Sequence, residues 1–145
     1  MGGGADLAMA CDLRLASDTL RFASSEAKVG MGAHFASVIL PRLLPRALSL
    51  ELLYTGRPMT PEEGLTHGFL NAVHPASEVR EAVRALAETI AAIRPETPIV
   101  LCSGFAAMLS TERARALGIR SFLPKPIGLR DLATAVRNAL DGRSA

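Results

Sequence analysis

The sequence predicts an α/β protein, and three observations carry that prediction. Short apolar runs of strand length alternate with longer stretches whose apolar residues recur at helical spacing. Capping residues and Pro/Gly breakers punctuate the alternation at intervals typical of strand–helix units. The composition, 49% hydrophobic and 21% charged, is that of a packed chain rather than a disordered one. At 145 residues, the chain is long enough for one ordinary domain or two very small ones.

Residues 4–11 read as a short helix entered from Gly2-Gly3-Gly4, and residues 12–17 alternate like a strand. Residues 34–44 and 47–55 are apolar at helical spacing, with Pro41 and Pro45 interrupting. Thr60-Pro61-Glu62-Glu63 is a helix start: Thr60 caps, Pro61 fits the first turn, and Glu63 completes a capping box. Phe69–Val73 reads as a short strand. Ser77 then opens a longer helix whose stripe is Val79, Val83, Leu86, Ile90 and Ile93, spaced four and three apart. Arg94-Pro95-Glu96-Thr97-Pro98 is a breaker-rich link. Beyond it, Ile99–Cys102 is a buried-looking strand, residues 111–117 a helix stopped by Gly118, Ser121–Leu123 a strand, and residues 129–140 a helix closed by Gly142. This strand–helix–strand–helix order is the pattern of a parallel doubly wound sheet, of which it supplies two strands.

Charge and cysteine usage narrow the function classes. Residues 1–92 hold 8 Lys/Arg against 10 Asp/Glu, net −2, and residues 93–145 hold 8 against 4, net +4. Such a split hints at two segments of separate origin. No run of five or six basic residues occurs, Trp is absent, and the single Tyr and five Phe offer few stacking platforms, so no nucleic-acid partner is expected. Apolar stretches are broken by Pro or Gly short of the roughly 18 residues a membrane span requires. Cys11 and Cys102 sit in apolar runs without metal or redox spacing and read as reduced core residues, which points to the cytoplasm. His34, His67 and His74 show no ligand spacing, so no metal is expected.

The first constellation is a glycine turn with two carboxylates. Glycines opening a helix leave backbone N–H groups at its positive end, where they stabilise an anion or a developing oxyanion. Asp6 lies just inside that helix, and Glu26 follows the run Phe22-Ala23-Ser24-Ser25. Two such carboxylates can divide acid and base roles over one substrate; turn glycines, a first-turn Asp and a surface Glu are the structural alternative. The run GGGADLAMACDLRLASDTLRFASSEAKVGM, then LPRLL, ELLYTGRPMTPEEGLTHGFLNAVHP and an Ala-rich helix to Ala92, resembles the enoyl-CoA hydratase/isomerase (crotonase) superfamily. That resemblance implies an acyl-CoA thioester substrate, with coenzyme A entering as part of the substrate and no separate cofactor. It implies Gly3 as an oxyanion donor and Asp6 and Glu26 as the catalytic carboxylates, Asp6 standing where hydratases carry Glu. It also implies assembly as trimers or hexamers, although the family's C-terminal assembly region is replaced here by a different segment. The family's upstream half is not represented, so activity is expected to be impaired.

The second constellation lies in RPETPIVLCSGF and ALGIRSFLPKPIGLRDLATAVRNALDG, which resemble the C-terminal half of a response-regulator receiver, a flavodoxin-like fold. The resemblance implies phosphoryl contacts by Ser103 and Lys125, with Phe122 as the switch aromatic and Pro126 following the lysine. A strand-end Ser and a solvated turn Lys are the plainer alternative. No Asp occurs between Asp18 and Asp131, so the resemblance implies a segment without its phosphoryl acceptor.

The resulting expectation is an incomplete crotonase-like portion, residues 1–92, joined to two strand–helix units of a receiver-like fold, residues 93–145. Three function classes stay open. One is acyl-CoA binding with hydratase or isomerase chemistry, another a receiver-derived signalling or interaction module. The third is a recombined or artificial fragment without independent function. The expected partners are an acyl-CoA thioester and, through open sheet edges, a second copy or another protein.

Overall fold

A computed structural model describes residues 2–103, 119–124 and 126–142. The chain divides into two compact units, Met1–Val83 and Arg84–Ala145.

In the first unit, Gly3–Ala10 forms α1, Leu15–Ser17 β1, His34–Leu43 α2, Arg46–Thr55 α3, Pro61–Thr66 α4 and Ala72–His74 β2. A 3-10 turn, Glu26–Val29, precedes α2. Strands β1 and β2 pair in parallel, Leu15 opposite Ala72, Ala16 opposite Val73 and Ser17 opposite His74. α1 packs on α2, α2 on α3, and α3 on the 3-10 turn. The core beneath them gathers Ala5 and Met9 of α1, Ala36 and Leu40 of α2, and Leu52 and Leu53 of α3 with Phe22, Met59, Phe69 and Leu70. The Phe22 and Phe69 rings lie 4.7 Å apart at 55°, a tilted aromatic pair.

Local chemistry explains several boundaries. Pro41 lies inside α2 and can donate no backbone hydrogen bond, and that helix stops at Leu43. The fully buried Ser49 ties the α2–α3 corner together, its hydroxyl donating to the Leu40 carbonyl at 3.1 Å. The expected capping box is present: the Glu63 N–H donates to Thr60 Oγ1 at 3.2 Å, and Thr60 N–H donates to Glu63 Oε2 at 2.9 Å.

Two expected strands are shorter or displaced. Of residues 12–17 only Leu15–Ser17 is strand, and the strand expected at Phe69–Val73 begins at Ala72. Phe69 and Leu70 are buried for packing instead: the Leu70 N–H donates to the Gly64 carbonyl at 2.9 Å, closing the turn after α4. Arg14 locks the same turn by donating Nε–H to the Phe69 carbonyl at 2.5 Å, with its guanidinium 5.0 Å above the Phe69 ring. The expectation of two core cysteines is corrected at Cys11, which is exposed, while Cys102 is half-buried. Cys11 ends α1 facing outward, and its thiol donates to the Leu7 carbonyl one turn back.

α5, Val79–Ile93, carries the expected stripe, and none of its 15 residues is buried. Ser77 falls in the turn before it. The second unit holds β3, Ile99–Ser103, β4, Ile119–Pro124, and α6, Leu129–Leu140. β3 and β4 are parallel, and α6 packs on both. Its buried residues are Ala135 and Ala139, small enough to let the helix approach the sheet. The register slips between Ile99–Ile119 and Val100–Ser121, so Arg120 is the extra residue of a bulge. Its guanidinium donates to the carbonyls of Ala139, 3.2 Å away, and Glu96, 3.3 Å away, tying α6 and the preceding link to the sheet. The helix expected over 111–117 lies outside the described residues.

Candidate active site

The glycine turn begins α1. Gly2, at φ 59° and ψ −145°, is the residue before the helix, in a conformation that side-chain-bearing residues rarely adopt. The Gly2 carbonyl accepts from the N–H groups of Ala5, at 2.8 Å, and Asp6, at 3.3 Å. The N–H groups of Gly3 and Gly4 precede the first intrahelical donor, Ala5, and have no intrahelical partner. Among the described residues nothing stands within 4 Å of where a Cβ on Gly3 would lie. Asp6 sits in the first turn, half-buried, where the helix dipole favours a negative charge.

Glu26 begins the 3-10 turn and is half-buried. Ser24 Oγ–H donates to Glu26 Oε2 at 2.7 Å. That bond, aided by the Glu26 backbone N–H, holds the carboxyl below its ordinary value of 4.5 against the opposing effect of partial burial. Asp6 and Glu26 share no hydrogen bond. They are supported by the same pair of helices: α1 packs on α2, the Glu26 turn on α3, and α2 and α3 on each other. A surface depression of about 220 Å³, bounded by Asp18, Arg21, Met59, Thr60 and Glu62, includes none of Gly3, Asp6 and Glu26.

Ser24 was not singled out from the sequence. The available signal was a hydroxyl two residues before a candidate acid, a spacing at which a tight turn brings the side chains together. Arg57 was missed as well. It donates Nε–H to Glu51 Oε1 at 2.7 Å and forks onto both oxygens of Glu63, at 2.9 and 2.8 Å, holding the segment between α3 and α4.

In the second unit, Ser103 is the last residue of β3 and its register partner is Pro124. Phe122 lies half-buried on β4 opposite Leu101. Lys125 lies outside the described residues.

Residues 1–125 match the family model described as enoyl-CoA hydratase/isomerase. The chain belongs to this family. Its fold is accordingly a crotonase-like α/β fold, and the family match runs through Ser103 and Phe122, positions that resemblance alone assigned to a receiver half. Among relatives, the chain is 41% identical over 95 residues to a carnitinyl-CoA dehydratase of Proteus mirabilis (strain HI4320), covering 65% of this chain and 36% of that protein. It is 38% identical over 90 residues to the mitochondrial enoyl-CoA hydratase domain-containing protein 3 of Homo sapiens, covering 62% and 30%. The crystal structure of the human domain-containing protein 3 aligns with 96% of this chain and 49% of its own, with a TM-score of 0.60 and 29% identity. The chain thus spans about a third of the length of the curated hydratase relatives it matches, 30% to 38%. Among the described residues no helix is long and apolar enough to cross a membrane.

Proposed function

We propose that this chain binds acyl-CoA thioesters and takes part in the addition or removal of water, or the shift of a double bond, beside the thioester. The observation that carries the proposal is the start of α1 within a family-matched segment, where the Gly3 N–H has no intrahelical partner. An N–H in that position donates to the thioester carbonyl oxygen and holds it more tightly as negative charge collects there. In hydration, one carboxylate takes a proton from water as the water oxygen bonds to the β-carbon. The electron pair moves to the thioester oxygen, and a carboxyl proton from the second group then closes the α-carbon. Dehydration runs these steps in reverse, beginning with removal of the α-proton. In dehydration Glu26, ionised at neutral pH, suits the α-proton acceptor and Asp6 the group that handles the departing water; hydration starts from the form this leaves, with the α-proton held on Glu26. Coenzyme A enters as part of the substrate. Hydratase and dehydratase relatives support water chemistry over other reactions of the family.

The test is calorimetric titration with a short enoyl-CoA, followed by turnover read from loss of enoyl absorbance. Saturable binding is expected, weakened by Gly3→Pro, which removes the N–H at a helix position that tolerates proline. Glu26→Gln is expected to lower turnover by about 10²–10⁴. Absence of binding at millimolar enoyl-CoA overturns the proposal.

A second reading concerns residues 93–145 as a receiver-derived interaction module. It is favoured by the parallel β3–β4 pair under α6 and by the register of Ser103 with Pro124, the residue before Lys125. The family match through residue 125 weighs against it. Titration with inorganic phosphate decides: a conformational response lost in Lys125→Ala supports the module, and a silent titration removes it.

A further inference from the structure

Ser24 is 2% exposed, and its hydroxyl is spent on one contact, the 2.7 Å donation to Glu26 Oε2. A buried hydroxyl in a protein of this size ordinarily turns to a backbone carbonyl, as Ser49 does here. Ser24 instead faces a half-exposed carboxylate that water could have solvated. The contact satisfies the buried hydroxyl, whereas the carboxylate would lose no essential partner to the solvent without it. What it does for the carboxylate is fix direction. A glutamate has three side-chain torsions, and at the start of an exposed 3-10 turn they are free unless something holds the head group. Ser24 itself is held: Phe22 is buried in the core pair with Phe69, its carbonyl accepts from the Met59 N–H at 2.7 Å, and Ala23 is buried beside it. The anchor is rigid on one side and grips the carboxylate on the other.

We infer that Ser24 is a positioning residue for Glu26, orienting its carboxylate through the hydroxyl contact. The inference rests on the reading of Glu26 as an acid/base group for its consequence in catalysis, while the contact itself is independent of that reading. The lowered proton affinity of Glu26 agrees with it, since a hydroxyl donor favours the ionised carboxylate. The other ionisable side chains of this turn and of α3, which packs on it, are Lys28, Arg46, Glu51 and Tyr54, and none of them hydrogen-bonds the Glu26 carboxylate. Ser24 is thus the one side-chain donor to that carboxylate among the described residues.

The experiment is a carbon-detected NMR titration of the Glu26 carboxyl in the full chain, unmodified and as Ser24→Ala and Ser24→Thr. The Glu26 midpoint is expected to rise toward the ordinary glutamate range in Ser24→Ala and to stay low in Ser24→Thr, which keeps the hydroxyl. In the unmodified chain the Ser24 β-proton resonances are expected to titrate with the Glu26 midpoint. That last measurement needs no variant, so it decides the matter even if a substitution disturbs folding. Independent titration of Ser24 and Glu26, or an unchanged Glu26 midpoint in a folded Ser24→Ala, overturns the inference. With enoyl-CoA, Ser24→Ala is expected to lower kcat about tenfold at nearly constant KM, the effect of loosening one reacting group. If Glu26→Gln leaves turnover intact, the acid/base reading of Glu26 fails, and the titration still judges the contact.

Discussion

Arg57 shows how much one side chain can organise on a small surface. Its guanidinium bridges Glu51 of α3 and Glu63 of α4, while Glu63 also accepts the Thr60 N–H of its own capping box. Glu63 therefore has three donors for its charge, and its pKa falls to about 2, with the Arg57 hydrogen bond the largest cause. A carboxyl whose folded value lies below its unfolded one stabilises the fold above about pH 4.5, and that stabilisation is lost as pH falls through about 2. Both partners keep about a third of their side-chain surface in water, 32% and 30%, so screening limits the contribution to about 1 kcal/mol. Glu63→Gln is expected to lower Tm at pH 7, with the gap from the unmodified chain closing between pH 4.5 and 2. Thermal melts across that range check it; a gap independent of pH would assign the effect to something other than the charge. The role of Arg57 was not legible in the sequence, because its partners lie six residues away on either side and only the bend between α3 and α4 brings both to one guanidinium.

At the level of elements, the helix signals were the most legible part of the chain. The Thr60–Glu63 box is encoded within four residues, and helices expected at 34–44, 47–55 and 129–140 fall within a residue of the observed ends. Thr60→Ala is expected to cost about 1 kcal/mol, measurable by urea unfolding, because it leaves a first-turn N–H of α4 without its acceptor. Strands were less legible, since three-residue strands carry too little alternation to fix their ends. The turn after α4 shows the reason. A Cβ on Gly64 would meet Leu70 Cδ1 at 2.8 Å, and Leu70 is 5% exposed, so it has little room to retreat. Gly64 looks like a poor residue for a helix interior and is required by a neighbour six positions on. Gly64→Ala is expected to destabilise the first unit by about 1–3 kcal/mol through overpacking, despite the better helix propensity of Ala. Gly64→Ala in a chain that also carries Leu70→Ala should lose less than the two single costs added together, and strict additivity would contradict the clash.

For the whole molecule, packing is uneven. The largest fully buried side chains, Phe69, Leu40, Leu52 and Met59, all belong to the first unit, whereas α5 buries none of its residues. Local opening costs least where few apolar contacts must break. Hydrogen-exchange mass spectrometry is therefore expected to show α3 and the β1–β2 pair protected well beyond α5, and equal protection would refute this distribution of stability. The stripe Val79, Val83, Leu86, Ile90 and Ile93 was plain in the sequence, yet periodicity states only that a helix has an apolar face. It does not say what covers that face, and Val83 is 47% exposed and Ile93 75% exposed.

The amino-acid sequence by itself determined the α/β class, the helices with local start signals, and the family-like run that carries Gly3, Asp6 and Glu26. These depend on neighbours a few residues apart, where spacing along the chain is nearly spacing in space. The tertiary structure decided the contacts between residues that the chain brings together by turning: Phe22 on Phe69, Arg14 over Phe69, Leu70 against Gly64, and Arg57 between two acids. It also decided that Ser24 grips Glu26, although only one residue separates them. Backbone direction in a tight turn, which spacing alone does not specify, determines whether two such side chains diverge or meet.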